Sequence, residues 1–194
     1  MNTLMDSWPR RHRITGDEYH RMAELGLLAP AARIELIEGE IIDMAPIGIG
    51  HNSAVTRLGD LLHRAAGERG LVQVQGVVRL DSFSEPQPDI AVLVRRADYY
   101  RQMYPSPAEV LLLIEVSDRT LRYDLDVKLP LYASQGIPEA WIVDLQQPVL
   151  HRFWSPGDGR YQQHSETDAP ASMAVAGLPG VAVDLSGLFS DPVR

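Results

Sequence analysis

Two carboxylates border hydrophobic runs of a kind normally kept free of charge, and a lysine follows them in the sequence. Asp89 follows Pro88 and opens the apolar run IAVLV. Glu115 closes four consecutive aliphatic residues in LLLIEVSDRTLRYDLDVKLPLY, Leu111 to Tyr132, and Lys128 follows within the same stretch. An unpaired buried carboxylate costs several kcal/mol in rough terms, so Glu115 needs a cation, hydrogen bonds or a water-filled cleft. On a strand, Leu111, Leu113, Glu115 and Ser117 point one way and Leu112, Ile114 and Val116 the other. If adjacent strands carry Asp89 and Glu115 at neighbouring ends, their oxygens suit one Mg2+, a hard cation that prefers oxygen ligands and retains waters. Like charges so close would raise the pKa of at least one of them.

Positioning these groups requires a definite set of elements. Thr15 and Glu18 have the spacing of a capping box, which predicts a short helix over Asp17 to Glu24. ARIELIEGEIIDM predicts a hairpin turning at Glu38-Gly39, with Glu35, Ile37, Glu40 and Ile42 on one face together with Arg33. Val55, Leu58, Leu62 and Ala65 mark an amphipathic helix capped at Asn52 or Ser53 and stopping near Gly70. LVQVQGVVRLD, PDIAVLVRR and EVLLLIEVS read as strands, the last buried on both faces. A helix over Asp126 to Gln135 follows, with Asp126 as its cap and Lys128 beside the buried face. Pro130 removes a helix hydrogen bond, so this helix should start late or kink. EAWIVDL and VLHRFW are further strands. The tail AGLPGVAVDLSGLF should fold back, since its Val, Leu and Phe would otherwise be exposed. The order predicts an α/β or α+β fold with a central mixed sheet, in a single domain spanning 1–194.

Composition narrows the function. A 194-residue chain that is 45% hydrophobic and 23% charged is ordinary for a globular protein. With no cysteine, thiolate metal sites and disulfides are excluded. No segment approaches the roughly 20 apolar residues of a membrane span, and the N-terminus has no apolar core of a signal peptide, so a cytoplasmic protein without a membrane partner is expected. A net charge of -8 argues against a uniformly basic nucleic-acid binder, but it permits a local site that reaches phosphate through a metal ion.

QPDIAVL, LLLIEVSDRTLRYDLDVKLPLYASQGIPEAWIVDL and IELIEGEIIDMAPIGIGH together resemble the large bacterial family of restriction-endonuclease-like proteins, a branch of the PD-(D/E)-x-K nuclease superfamily. The resemblance covers about Thr15 to Trp154, with the strands of 155–194 expected to pack onto it. It implies a restriction-endonuclease-like fold and a Mg2+-dependent endonuclease, with Mn2+ able to substitute. By that similarity Asp89 and Glu115 are the metal-binding pair. The lysine usually found two residues after the Glu is replaced by Ser117, and its role passes to Lys128 from the next helix. Glu35 and His51 match a hairpin Glu and a His before the first core helix. DNA is the expected partner ahead of RNA, and a homodimer is compatible with the resemblance. Two departures bear on the placement of Lys128: EVSDRT is one residue shorter than the commoner E-x-x-S-P-x-T, and Pro130 stands where relatives have a small helix former.

Plainer readings compete. Pro88-Asp89 alone is a turn before a strand. Glu115 could pair with an arginine as a structural ion pair. Glu35 could lie on a solvated edge, His51 could bond the backbone at a helix start, and Asp124 could cap or pair with Lys128. Arg10, Arg11 and Arg13 read as a solvated terminus, and Trp141 as core rather than a base-stacking platform. The whole chain could be a degenerate nuclease fold that binds nucleic acid or protein without catalysis. Retention of both acids and the lysine favours the enzyme.

Overall fold

The computed structural model describes residues 11–29 and 32–189. Helix α1 (Gly16–Glu24) begins at the Thr15 capping box, in which the Thr15 side chain accepts from the Glu18 backbone and Glu18 bonds back to the Thr15 N–H. Strands β1 (Ile34–Ile37) and β2 (Glu40–Asp43) pair antiparallel around Glu38 and Gly39. Both turn residues have positive φ, 50° and 84°, as a two-residue hairpin of this hand requires.

Helix α2 (Ile49–Ala66) buries Val55, Leu58, Leu62 and Ala66. It is capped by Gly48 rather than Asn52 or Ser53, and it ends at Gly67, whose positive φ breaks the helix before Gly70 is reached. Strands β3 (Gly70–Val74), β4 (Ile90–Val94), β5 (Val110–Ser117), β6 (Glu139–Asp144), β7 (Val149–Gly157) and β8 (Arg160–Thr167) form one mixed sheet in that order. Within this sheet only β5 and β6 pair in parallel. The chain between them crosses over through a helical segment, as a parallel pair requires.

That crossover departs from the expected helix. It starts early, as α3 (Leu121–Tyr123), widens into a π turn over Asp124–Lys128 and resumes as α4 (Leu129–Ser134). The Leu129 N–H bonds to the Asp124 carbonyl, five residues back. This widening accommodates Pro130, whose ring would otherwise press on the carbonyl four residues earlier. Asp126 is exposed inside the π turn and caps nothing.

The sheet separates two apolar layers. Leu112, Ile114, Val116, Trp141 and Val143 pack against α2 and against the returning tail, including Val175, Leu178, Val183 and Leu188. Short strands β9 (Ser172–Ala174) and β10 (Ala182–Asp184) pin that tail, so it folds back as expected. Ala91, Leu93, Leu113 and Ala140 face Leu131, Tyr132, Ile37 and Ile137 in the second layer. Leu111 packs with the first layer rather than beside Leu113, because a register shift pairs Leu93 with Val110 and Val92 with Leu112, leaving Leu111 as the extra residue of a bulge. Trp141 is fully buried, in accord with a core role. Among the described residues no helix is long and apolar enough to cross a membrane. Arg10 lies outside the described residues, while Arg11 and Arg13 are exposed, Arg11 pairing with Glu40 and Arg13 stacking on Phe83.

Candidate active site

The antiparallel register of β4 and β5 places Ile90 opposite Ile114. Continued by one residue, it sets Asp89 opposite Glu115, and opposed residues of an antiparallel pair share a face with Cβ atoms about 5 Å apart. The Val116 N–H donates to Asp89 Oδ2 at 2.9 Å, tying the acid to the neighbouring strand. His51, in the first turn of α2, donates from Nε2 to the same oxygen at 3.0 Å. This hydrogen bond raises the His51 pKa, against the opposing effect of burial. Its other ring nitrogen, Nδ1, is buried without a partner.

Glu115 is 5% exposed. Lys128 Nζ lies 3.3 Å from its Oε1, and the Tyr132 hydroxyl donates a short hydrogen bond to the same oxygen. Burial pushes the Glu115 carboxyl up to about 8, with Lys128 opposing and Asp124, Asp89 and Glu35 adding to the rise. The expected upward shift is therefore present, but burial leads and like-charge repulsion follows. Burial by itself would lower Lys128. The carboxylates of Glu115, Glu35 and Asp124 reverse that and hold its ammonium charged.

Glu35 is not on a solvated edge. It is 2% exposed, with Lys128 Nζ at 3.1 Å and the Gln87 N–H at 3.2 Å on Oε2, while the Tyr123 hydroxyl reaches Oε1. The hairpin thus hands one carboxylate inward to the crossover lysine. Asp124 does not act as a simple partner of Lys128; its Oδ2 accepts from Ser117 Oγ and Thr120 Oγ1, both at 2.7 Å. Ser117, which stands where a lysine is commoner, anchors the helix that carries Lys128. The arginine partner considered for Glu115 is replaced by this lysine.

All five expected residues, Asp89, Glu115, Lys128, Glu35 and His51, line one open cleft of about 510 Å3 at the ends of β4 and β5. Asp118, Arg119, Thr120, Tyr123, Gln87 and Arg33 line it too. Sequence reasoning passed over Tyr123 and Gln87, and gave Tyr132 no role in the site. The signal available for Gln87 was its place two residues before Asp89, whereas nothing local marks the hydroxyls of Tyr123 and Tyr132 as facing carboxylates. The donor set fits a hard divalent cation: carboxylate oxygens converge from two strands, and four buried acids face one lysine and one histidine.

The family model described as "Uma2: Putative restriction endonuclease" matches residues 17–186, and the chain belongs to that family. Among solved structures, a protein from Anabaena variabilis ATCC 29413 described as a putative nuclease belonging to DUF820 superposes with a TM-score of 0.67 at 16% identity, covering 91% of this chain and 98% of that one. The likeness identifies the fold as restriction-endonuclease-like. No curated protein matches the chain.

Proposed function

We propose that this member of the Uma2 family is a single-domain, cytoplasmic, metal-dependent nuclease that hydrolyses phosphodiester bonds, in DNA ahead of RNA. The observation that carries the reading is the convergence of two strand-end acids and a buried lysine on one open cleft. Asp89 and Glu115 would hold Mg2+, or Mn2+ in its place. When bound, such an ion lowers the pKa of a water and polarises the scissile phosphate.

The chain's own groups then divide the remaining work. His51 and the Val116 N–H fix the rotamer of Asp89, so the acid is ordered before any ligand arrives. Glu35 and Glu115 hold Lys128 in place and keep it charged. Its ammonium is thereby preorganised to orient a nucleophile and to stabilise the negative charge that develops on the phosphate. Tyr132 and Tyr123 supply hydroxyl donors to the two glutamates, so neither lacks a partner when Lys128 turns towards substrate. Arg33 and Arg119 at the cleft give the flanking phosphates a cationic contact.

The test is cleavage of end-labelled single-stranded and duplex DNA, and of RNA, with Mg2+ or Mn2+ against EDTA, comparing wild type with Asp89→Ala and Lys128→Ala after circular dichroism shows each to be folded. Cleavage that needs the metal and both side chains is the expected result. A wild type that binds DNA and never cuts it would support the non-catalytic module instead.

A further inference from the structure

A second cluster of ligating side chains lies on the same face of the sheet, two strands beyond Glu115. The pairings run Glu115 with Ile142, Ile142 with His151, and His151 with Glu166. His164 and Glu166, two apart on β8, point to the same side as His151, which stands opposite Glu166 on β7. One ligand atom from each of the three lies within 4.8 Å of the others. His151 Nδ1 is 3.5 Å from Glu166 Oε2, and the His151 and His164 rings stack with centroids 5.7 Å apart. Phe153 stacks on His164 at 4.3 Å and limits where that ring can turn.

We propose that His151, His164 and Glu166 bind one borderline transition-metal ion of the Zn2+ class on the β7–β8 hairpin. Two imidazoles and a carboxylate with a position left for water match the preferences of Zn2+ and not those of Mg2+. This chemistry differs from that of the all-oxygen acids in the cleft, and Ile142 stands between the two sites in the register. Burial, and the nearby His164, hold His151 below its ordinary pKa, with Glu166 opposing. Two ligands bound at about 2.1 Å to one ion are at most about 4.2 Å apart, so any pair near the 4.8 Å limit would draw in slightly on binding. His164 and Glu166 are exposed and free to do so. Strand β8 is one of the two edge strands of the sheet. An ion joining it to β7 ties down an edge that is otherwise held from one side.

The experiment is calorimetric titration of the full chain with Zn2+, with Co2+ absorption spectroscopy as a second reading, in wild type and in an Asp89→Ala background that disables the cleft. One Zn2+ should bind at the hairpin in both, with the visible spectrum of Co2+ bound to nitrogen ligands. His164→Ala should weaken binding by about tenfold or more, since even loss of an outer-shell partner costs about that much. His164 is exposed, so the variant should fold, and hydrogen exchange of β8 amides should slow on adding Zn2+ in wild type and not in His164→Ala. Absence of Zn2+ binding at tens of micromolar in the Asp89→Ala background, or equal affinity in His164→Ala, would overturn the proposal.

Discussion

Glu115 and Glu139 lie on the paired parallel strands β5 and β6, and both are buried. Their surroundings differ in kind. Glu139 is fully enclosed: Arg152 Nε at 2.6 Å and Trp141 Nε1 at 2.7 Å donate to Oε1, and the Ala176 N–H at 2.7 Å donates to Oε2. It joins the returning tail to the sheet, and its acceptors are spoken for. Glu115 meets a lysine and a tyrosine on one oxygen and opens into a cleft shared with other carboxylates. A buried acid is therefore no sign of chemistry by itself. What marks Glu115 is incomplete neutralisation beside an accessible space.

The contrast can be broken most sharply by catalysis. Lys128→Ala should lower the single-turnover rate of DNA cleavage by on the order of a hundredfold or more, whereas folded Arg152→Ala should cut at the wild-type rate. Equal losses would mean that both ion pairs serve only the fold.

Stability comes next. Removing Arg152 leaves Glu139 buried without its counter-charge, so Arg152→Ala should cost about 3–5 kcal/mol in urea denaturation. Lys128→Ala should also destabilise the metal-free chain, but Mg2+ or Mn2+ should restore part of that loss and none of the loss in Arg152→Ala. Failure of metal to distinguish the two variants would remove the difference between the sites.

A pH series sharpens the comparison further. The Glu115 carboxyl ionises near about 8 in the folded chain against an ordinary value of 4.5, so the folded state binds the extra proton between these limits. Its contribution to stability is complete below the lower value and is lost as pH rises through the upper one. Glu115→Gln removes that dependence and should gain stability relative to wild type between about pH 5 and pH 9. A pH-independent difference in denaturation midpoints would contradict the assignment.

The smallest effect is thermal. Millimolar Mg2+ should raise the melting temperature by a few degrees, through binding to the folded state alone. The rise should be larger at about pH 8.5 than at about pH 6.5 if Glu115 is a ligand, because it would then have to shed its proton to bind. Arg152→Ala should keep the rise and Asp89→Ala should lose it.

The sequence announced some of this arrangement and hid the rest for physical reasons. Asp89 and Glu115 were legible because each is a charge at the end of an apolar run, and strand alternation alone predicts their direction. Lys128 was legible by its proximity to the helix face. The route that delivers it was legible only in part, because Pro130 argued for a late helix start or a kink, and single-residue helical widening leaves no mark in hydrophobic periodicity. Glu35 was ambiguous since Arg33 and Glu40 near it suggest solvent, while the partners that bury it, Lys128 and Gln87, are remote in sequence. Glu139 shows the converse: EAWIVDL reads as ordinary strand, and only the tertiary meeting with Arg152 and Ala176 makes its acid structural.

The π turn over Asp124–Lys128 has a consequence for how this chain tolerates changes in length. A wide turn is one residue more than the α-helix needs, and each residue of an α-helix advances the azimuth by about 100°. The segment holding Asp124 against Ser117 and the segment seating Tyr132 are thus kept in angular phase by a single surplus residue. Deleting one residue there would close the turn into regular helix and rotate one segment relative to the other by about that angle. Either Asp124 would leave its serine or Tyr132 its glutamate. A deletion invisible in composition would put the lysine out of step with the acids it serves.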